Sequence, residues 1–286
     1  MAEHEQTAIV PAGSKPDRLD RWLPQLLDLS RTKARKIIDA GGVYVNGARC
    51  RTQSRQVGPG ARLRAVWSDR PPPPLDGPEP TIVFQDPDLV IVDKPPGMAC
   101  QATRTSVHGT VERWVAQLPG VDYVALHHRL DRPARGLLAV GTSKRANVGL
   151  ARAFAERLAV RRYRALLAGA LDGSGLWEHG LIEEGRDRTA VPWTGEGTLM
   201  RARWEATQQV ERATLVEVTL ETGRTHQIRL QSAYEGTPIV GDRRYGHAEP
   251  GGLRLQAFAL AMPHPVTGAP LDVSIPPPSD WGLPIT

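Results

Sequence analysis

Apolar residues recur at helical spacing near the start of the chain. Leu19, Trp22, Leu23, Leu26 and Leu27 follow i, i+3, i+4, i+7, i+8, one buried stripe of a helix that Pro24 is expected to kink or shorten. Ser30 is placed to cap a second helix over residues 31–40. That helix buries Ala34, Ile37 and Ile38, presents Arg31, Lys33, Arg35 and Lys36 elsewhere, and stops at Gly41-Gly42. Val43-Tyr44-Val45 followed by Asn46-Gly47 predicts a hairpin, because both turn residues tolerate positive φ. Six prolines between Ser68 and Pro80 then predict a stiff, extended linker.

Beyond it, Ile82 to Phe84 and Leu89 to Asp93 read as strands around an Asp-Pro-Asp turn, closed by Lys94-Pro-Pro-Gly97. Helical patterns follow at about 107–118 and 143–158, the latter with Leu150, Ala151, Phe154 and Leu158 on one stripe. Residues 160–169, 200–209, 213–221, 253–262 and 270–275 are strand candidates, and no strand–helix unit repeats. The pattern predicts an α+β fold with a mixed, largely antiparallel sheet, not a Rossmann or P-loop fold. Neither phosphate-binding glycine motif is present, which argues against a nucleotide cofactor.

With 286 residues, 40% hydrophobic and 23% charged, the chain has room for a sizeable core and for two domains. No apolar run approaches the length of a membrane span. Glu3 and Glu5 stand where a signal peptide would carry basic residues, so a cytoplasmic protein without a membrane partner is expected. Cys50 and Cys100 have neither disulfide-scaffold nor metal-ligand spacing, so no metal or redox cofactor is expected. The net charge is +5, but residues 18–67 alone carry +8 and the remainder −3. Such a basic module predicts a polyanionic partner, most simply nucleic acid.

Three polar clusters are candidates for chemistry. Residues 125–136 place Asp131 between Arg129 and Arg132 beside the apolar Leu137-Leu138-Ala139-Val140, as a nucleophile or as a salt-bridge partner. Residues 220–229 turn at Thr222-Gly223 into a helix rich in hydrogen-bonding side chains. Residues 161–167 alternate Tyr163 with arginines on a strand.

In this order the three blocks resemble the RluA-type family of RNA pseudouridine synthases, over about Ile82 to Pro278. The family's H-R-L-D-x-x-T-S-G stands here as His128-Arg129-Leu130-Asp131-Arg132-Pro133-Ala134-Arg135-Gly136, and its K-x-Y-x-A-L as Arg161 to Leu166. Its T-G-R-T-H-Q-I-R is unchanged as Thr222 to Arg229. Gly236 to Asp242, Tyr245-Gly246 and His264 to Thr267 match its closing blocks. Upstream, residues 18–67 resemble the RNA-binding module named after small-subunit ribosomal protein S-four, which implies that Arg31, Lys33, Arg35 and Lys36 contact phosphate.

The resemblance implies isomerisation of uridine to pseudouridine in structured RNA by a monomer without cofactors. The upstream module points to large-subunit ribosomal RNA as the expected substrate, with transfer RNA as the alternative. The resemblance makes Asp131 the nucleophile, which attacks the anomeric carbon, adds to the ring or assists elimination through a glycal. Arg229 pairs with it, Tyr163 stacks on uracil and handles a proton, and Arg129 fills the place of the flipped nucleotide. The implied division is a tail over 1–17, the RNA-binding domain over 18–67, the linker over 68–80 and the catalytic domain over 81–286. Where the family has Thr-Ser, this chain has Ala134-Arg135, and Gln231 and Gln256 replace family histidines. Arg135 either touches an RNA phosphate or closes an internal ion pair, and guanidinium geometry favours the phosphate. The rival reading is an RNA-binding ribosome-assembly factor of this descent without catalysis. Hydrolysis of the glycosidic bond would need a second carboxylate, for which there is no motif.

Overall fold

The computed structural model describes residues 3–68, 78–185 and 187–283. Most of the proline-rich segment lies outside the described residues. The chain forms two compact units, one of the N-terminal residues together with Gln101–Trp114, the other of Pro78–Cys100 and the residues from Val115 onward.

The first unit holds β1 (Glu3–Ile9), β2 (Asp17–Arg18), α1 (Leu19–Leu27), α2 (Arg31–Ala40), β3 (Val43–Val45), β4 (Ala48–Cys50), β5 (Gln56–Val57) and β6 (Arg62–Ser68). A four-stranded sheet in the order β1-β6-β3-β4 packs its apolar side on both helices through Leu19, Leu23, Ile38, Leu63 and Ala65. Helix α2 has the predicted bounds, with the Ser30 hydroxyl accepting from Lys33 N at 3.1 Å and Gly41 ending it at φ 81°. Helix α1 runs through Pro24 and is short.

Two domain boundaries differ from expectation. Residues 3–9, expected within a tail, form a strand, since β1 pairs with β6 from Glu3↔Ser68 to Ile9↔Arg62. Its sequence is mostly polar because this edge strand is largely exposed, so it carries no apolar alternation. Residues 101–114, expected in the catalytic domain, fold onto the first unit. Val107 N donates to Ala40 O at 2.9 Å, and Tyr44 OH to Arg104 O at 3.1 Å. The helix expected over 107–118 is correspondingly only α3 (Val111–Val115).

The second unit is built on β7 (Thr81–Gln85), β8 (Leu89–Lys94), β9 (Arg135–Gly141), α4 (Lys144–Ala155), β10 (Val160–Ala168), β11 (Ser174–Glu184), β12 (Asp187–Pro192), β13 (Thr198–Val210), β14 (Ala213–Leu220), α5 (Gln227–Tyr234), β15 (Leu255–Pro263) and β16 (Pro270–Ser274). The strand order is β12-β11-β13-β14-β10-β15-β9-β8-β7, with β16 also on β15. Only β9 and β15 run parallel among these pairs, so the sheet is mixed and largely antiparallel. Helix α4 buries Ala146, Leu150 and Ala153. Leu158, expected on the same stripe, is 44% exposed because the helix ends before it and Arg157 takes a left-handed conformation. The β11–β12 hairpin was not anticipated. It extends the sheet beneath α5, where Ala190, Met200 and Leu230 form a small core.

The basic face of α2 is partly committed internally. Asp20, fully buried, accepts from Arg18 Nε at 2.8 Å and from Arg35 Nε and Nη2 at 3.0 and 2.9 Å, with Arg31 at 3.5 Å. Arg31 and Arg35 are therefore drawn to a carboxylate, whereas Lys33 lies over the Trp67 ring and Lys36 is exposed. The Arg18 hydrogen bond, aided by Arg35, holds the Asp20 carboxyl well below the usual carboxylate range despite its burial. A depressed carboxyl pKa contributes stability at neutral pH that is lost as pH falls through the folded-state value. Asp20→Asn is expected to lower unfolding free energy by roughly 2 kcal/mol near neutrality. In denaturant titrations across pH, its gap to wild type should narrow below about pH 4.

Candidate active site

Three parts of the second unit converge on one pocket: the loop before β9, the strand β10, and the turn from β14 into α5. Asp131, Tyr163 and Arg229 all line it, with Arg129, Arg161 and His226. Asp131 and Arg229 are 98 positions apart in sequence, and the sheet brings them together because β10 lies between β14 and β15 while β15 abuts β9.

The Asp131 loop is held on both flanks. Lys94, the last residue of the apolar strand β8, is fully buried. Its Nζ donates to the carbonyls of Pro95 and Met98 at 2.9 Å each, Arg132 at 3.3 Å and Ala134 at 2.6 Å. Burial pushes the ammonium down to about 8, so it stays charged at neutral pH while these oxygens take the place of water. Gly97 N also donates to Arg132 O at 2.8 Å, and on the other flank Leu130 N donates to Cys100 Sγ at 3.2 Å. Gly136 then enters β9 at φ 115°, and a Cβ there would lie 2.3 Å from the Ala257 carbonyl oxygen. Only glycine brings the loop's exit this close to β15. In the sequence Lys94 belongs only to the Lys94-Pro-Pro-Gly97 close of a strand, and Cys100 has no partner by spacing. A lysine ending the run Leu-Val-Ile-Val-Asp-Lys was the available signal.

The α5 turn is closed by its own polar side chains. Gln227 Oε1 accepts from Thr222 Oγ1 at 2.8 Å and from Arg224 N at 3.0 Å, while His226 adopts φ 60° just before the helix. One turn on, Arg229 is 6% exposed and divides its guanidinium between two carboxylates. Nε and Nη2 bind Asp242 at 2.8 and 2.9 Å, and Nη1 reaches Asp131 Oδ2 at 2.9 Å. Asp242 also accepts from Arg244 N and Tyr245 N. Burial opposes its ionisation, but Arg229 and these amides outweigh that and hold its carboxyl below the usual range. Asp131 is less enclosed, at 19% exposure, with one oxygen 3.8 Å from His226 Nε2. His226 Nδ1 in turn meets Tyr245 OH at 2.8 Å, and burial pushes the imidazole down. Asp242 and Lys94 were in sequence blocks already singled out, yet no role attached to them without their partners.

Tyr163 is buried in β10, and desolvation raises its phenol, which stays protonated at neutral pH. Arg129 is exposed at the pocket. Arg135 departs from the favoured expectation: its Nη1 and Nη2 both donate to Asp280 at 2.9 Å, and Arg254 joins the same carboxylate at 3.1 Å. The guanidinium is thus an internal clamp on the C-terminal 3-10 turn (Ser279–Trp281). Gln231 and Gln256 are neutral, buried substitutes that hydrogen-bond to backbone carbonyls, Gln231 to Trp177 and Met200 and Gln256 to Pro276.

A buried cation thus aims a carboxylate into a pocket beside a neutral phenol. Such an arrangement can direct a carboxylate at an electrophilic carbon while an aromatic ring supports a planar substrate. Among the described residues no group of three or more His, Cys, Asp or Glu gathers as metal ligands, and no helix is long and apolar enough to cross a membrane.

The sequence profile of the RNA pseudouridylate synthase family matches residues 88–234, and that of the S4 domain residues 17–63. An uncharacterised RNA pseudouridine synthase of Mycobacterium bovis is 35% identical over 95% of this chain and 94% of its own length. The ribosomal large subunit pseudouridine synthase D of Nitrosomonas europaea is 30% identical over 97% and 87%. The fold of human RNA pseudouridylate synthase domain containing 1 superposes with a TM-score of 0.60 at 23% identity, covering 69% of this chain and 83% of that one. With an aspartate on an arginine at the pocket and relatives aligned over most of both chains, the chain belongs to the RluA-type family of RNA pseudouridine synthases, with an N-terminal S4 domain.

Proposed function

We propose that the chain converts uridines of large-subunit ribosomal RNA to pseudouridine with Asp131 as nucleophile. The observation that carries this reading is the 2.9 Å pair of Arg229 and Asp131, with the other guanidinium nitrogens fixed on Asp242 in a pocket that also presents Tyr163. The ribosomal substrate rests on relatives named ribosomal large subunit pseudouridine synthase D in three bacteria, similar over most of both chains.

The reaction breaks the bond from C1′ of the sugar to N1 of uracil, turns the base, and joins C1′ to C5. The proton leaves C5 and N1 gains one. Each role follows from a position. Asp131 keeps one oxygen on Arg229 and turns the other toward the pocket, as a nucleophile at the sugar or ring or as the base of an elimination. Tyr163 supports the face of the loosened uracil, and its protonated phenol is a donor to a nitrogen or oxygen that gains charge. A uridine within a duplex or a stacked loop must swing out to reach this depth, and exposed Arg129 is suited to the place it vacates. Lys33 and Lys36 on α2 remain for backbone phosphate in the S4 domain, with Arg31 and Arg35 diverted to Asp20.

Asp131→Asn is expected to abolish pseudouridine formation in large-subunit RNA from cells lacking the gene, read by mass spectrometry of digested RNA. RNA affinity should stay within about threefold, since no phosphate contact is removed. Activity near wild type would sink the assignment of Asp131 as nucleophile. Asp242 touches no substrate and acts through Arg229. Asp242→Asn should therefore lower kcat on the order of a hundredfold, with KM for RNA nearly unchanged. A rise in KM at constant kcat would place Asp242 in RNA binding instead.

A further inference from the structure

Strand β10 sorts its side chains by simple alternation. Arg162 and Arg164 lie over the Phe258 ring on one face, at 5.2 and 3.9 Å. Arg161 and Tyr163 lie on the other, and both line the Asp131 pocket. Of the cations there, Arg229 is consumed by two carboxylates and Arg224 Nε lies 3.4 Å from the Leu199 carbonyl. Arg161 differs from both. It is half-buried, its Nε is out of solvent without a hydrogen-bond partner, and among the described residues no carboxylate pairs with it.

Its position is nonetheless fixed. The guanidinium carbon stands 5.9 Å from the Phe154 ring centroid, and Phe154 is stacked at 4.3 Å on the fully buried His128 ring. The Nη1–Nη2 edge abuts Gly223, where a Cβ would lie 2.9 Å from both nitrogens. Only a residue without a side chain lets the fork pack this closely on the Thr222-Gly223-Arg224 turn. Arg161 is thus an aligned cation without an anion in the lining of the Asp131 pocket, a site awaiting an acceptor.

We propose that Arg161, seated against Gly223, binds the backbone phosphate next to the uridine that enters the pocket. The proposal rests on the pocket's being the uridine site, as set out above. Residues two apart on a strand are separated by about 7 Å, comparable with the distance from a base to the phosphates of its own nucleotide. With uracil on Tyr163 and the sugar at Asp131, a flanking phosphate falls to Arg161. The planar fork matches phosphate oxygens, and a phosphodiester supplies the full negative charge that neutral uracil carbonyls lack. Arg161 is then a substrate-positioning residue that grips the kinked backbone while the base turns.

The test uses full-length protein and large-subunit ribosomal RNA purified from cells lacking the gene. Arg161→Gln should raise KM about tenfold while kcat stays within about threefold. The log–log salt slope of RNA binding should fall by about 0.7–0.9, one phosphate contact. Arg161→Lys should restore most of the slope. Gly223→Ala keeps every charge but crowds the fork, so it should reproduce the KM rise; it also decides the matter if Arg161→Gln fails to fold. A loss of kcat with unchanged KM and slope would overturn the proposal and assign Arg161 to the base. Parameters equal to wild type in Arg161→Gln or Gly223→Ala would overturn it as well. A wild-type enzyme that forms no pseudouridine in this RNA would instead overturn the functional reading on which the proposal rests.

Discussion

The catalytic unit depends on how one guanidinium is shared. Arg229 is almost wholly buried and would be untenable without anions, and Asp242 supplies the first, held in turn by two backbone amides. That pair satisfies Nε and Nη2 and leaves Nη1 to point at Asp131. The buried ion pair thus fixes a direction, which is the property a directed carboxylate needs. A lone surface arginine would give Asp131 neither a fixed partner nor a fixed rotamer.

The other half of the geometry is imposed on the backbone. Lys94 gathers four carbonyls around one ammonium, two from the Pro95–Met98 turn and two from the loop that carries Asp131. Charge-assisted bonds of this kind tie two irregular segments that have no ladder of their own. Cys100 takes the amide of Leu130, so the residue before Asp131 is held as well. The pocket therefore combines a rigid sheet, a clasped loop and a helix start whose turn is closed by Thr222 and Gln227.

The cations of α2, of the pocket and of the C-terminal clamp divide into two populations. Arg35, Arg135 and Arg229 serve carboxylates of the protein itself, Asp20, Asp280, and Asp131 with Asp242. Lys36, Arg129 and Arg161 have no carboxylate partner among the described residues, and a polyanionic substrate can meet them. The 11 Lys and Arg of residues 18–67 consequently overstate what is available to RNA, since Arg18 and Arg35 are held by the buried Asp20. Net charge identifies the class of partner, and the distribution of internal anions decides which cations are left for it.

The sequence alone determined the elements whose signals are local. The Ser30 cap, the Gly41 stop, the Asn46-Gly47 hairpin and the longer strands β10, β13, β14 and β15 follow from periodicity, capping and turn chemistry. The Asp131, Tyr163 and Arg229 blocks were legible because each motif is short and contiguous. Tertiary structure decided what depends on partners distant in the chain. β1 is a polar edge strand, visible only once β6 lies beside it. Residues 101–114 join the first unit through bonds to Ala40 and Tyr44 that no periodicity encodes. Arg135 is an ion-pair partner because Asp280, 145 positions away, meets it. Arg229 is a sharing residue because Asp242 and Asp131 arrive from different loops. The physical reason is common to these cases: local backbone preferences act over a few residues, whereas burial and charge pairing act through space.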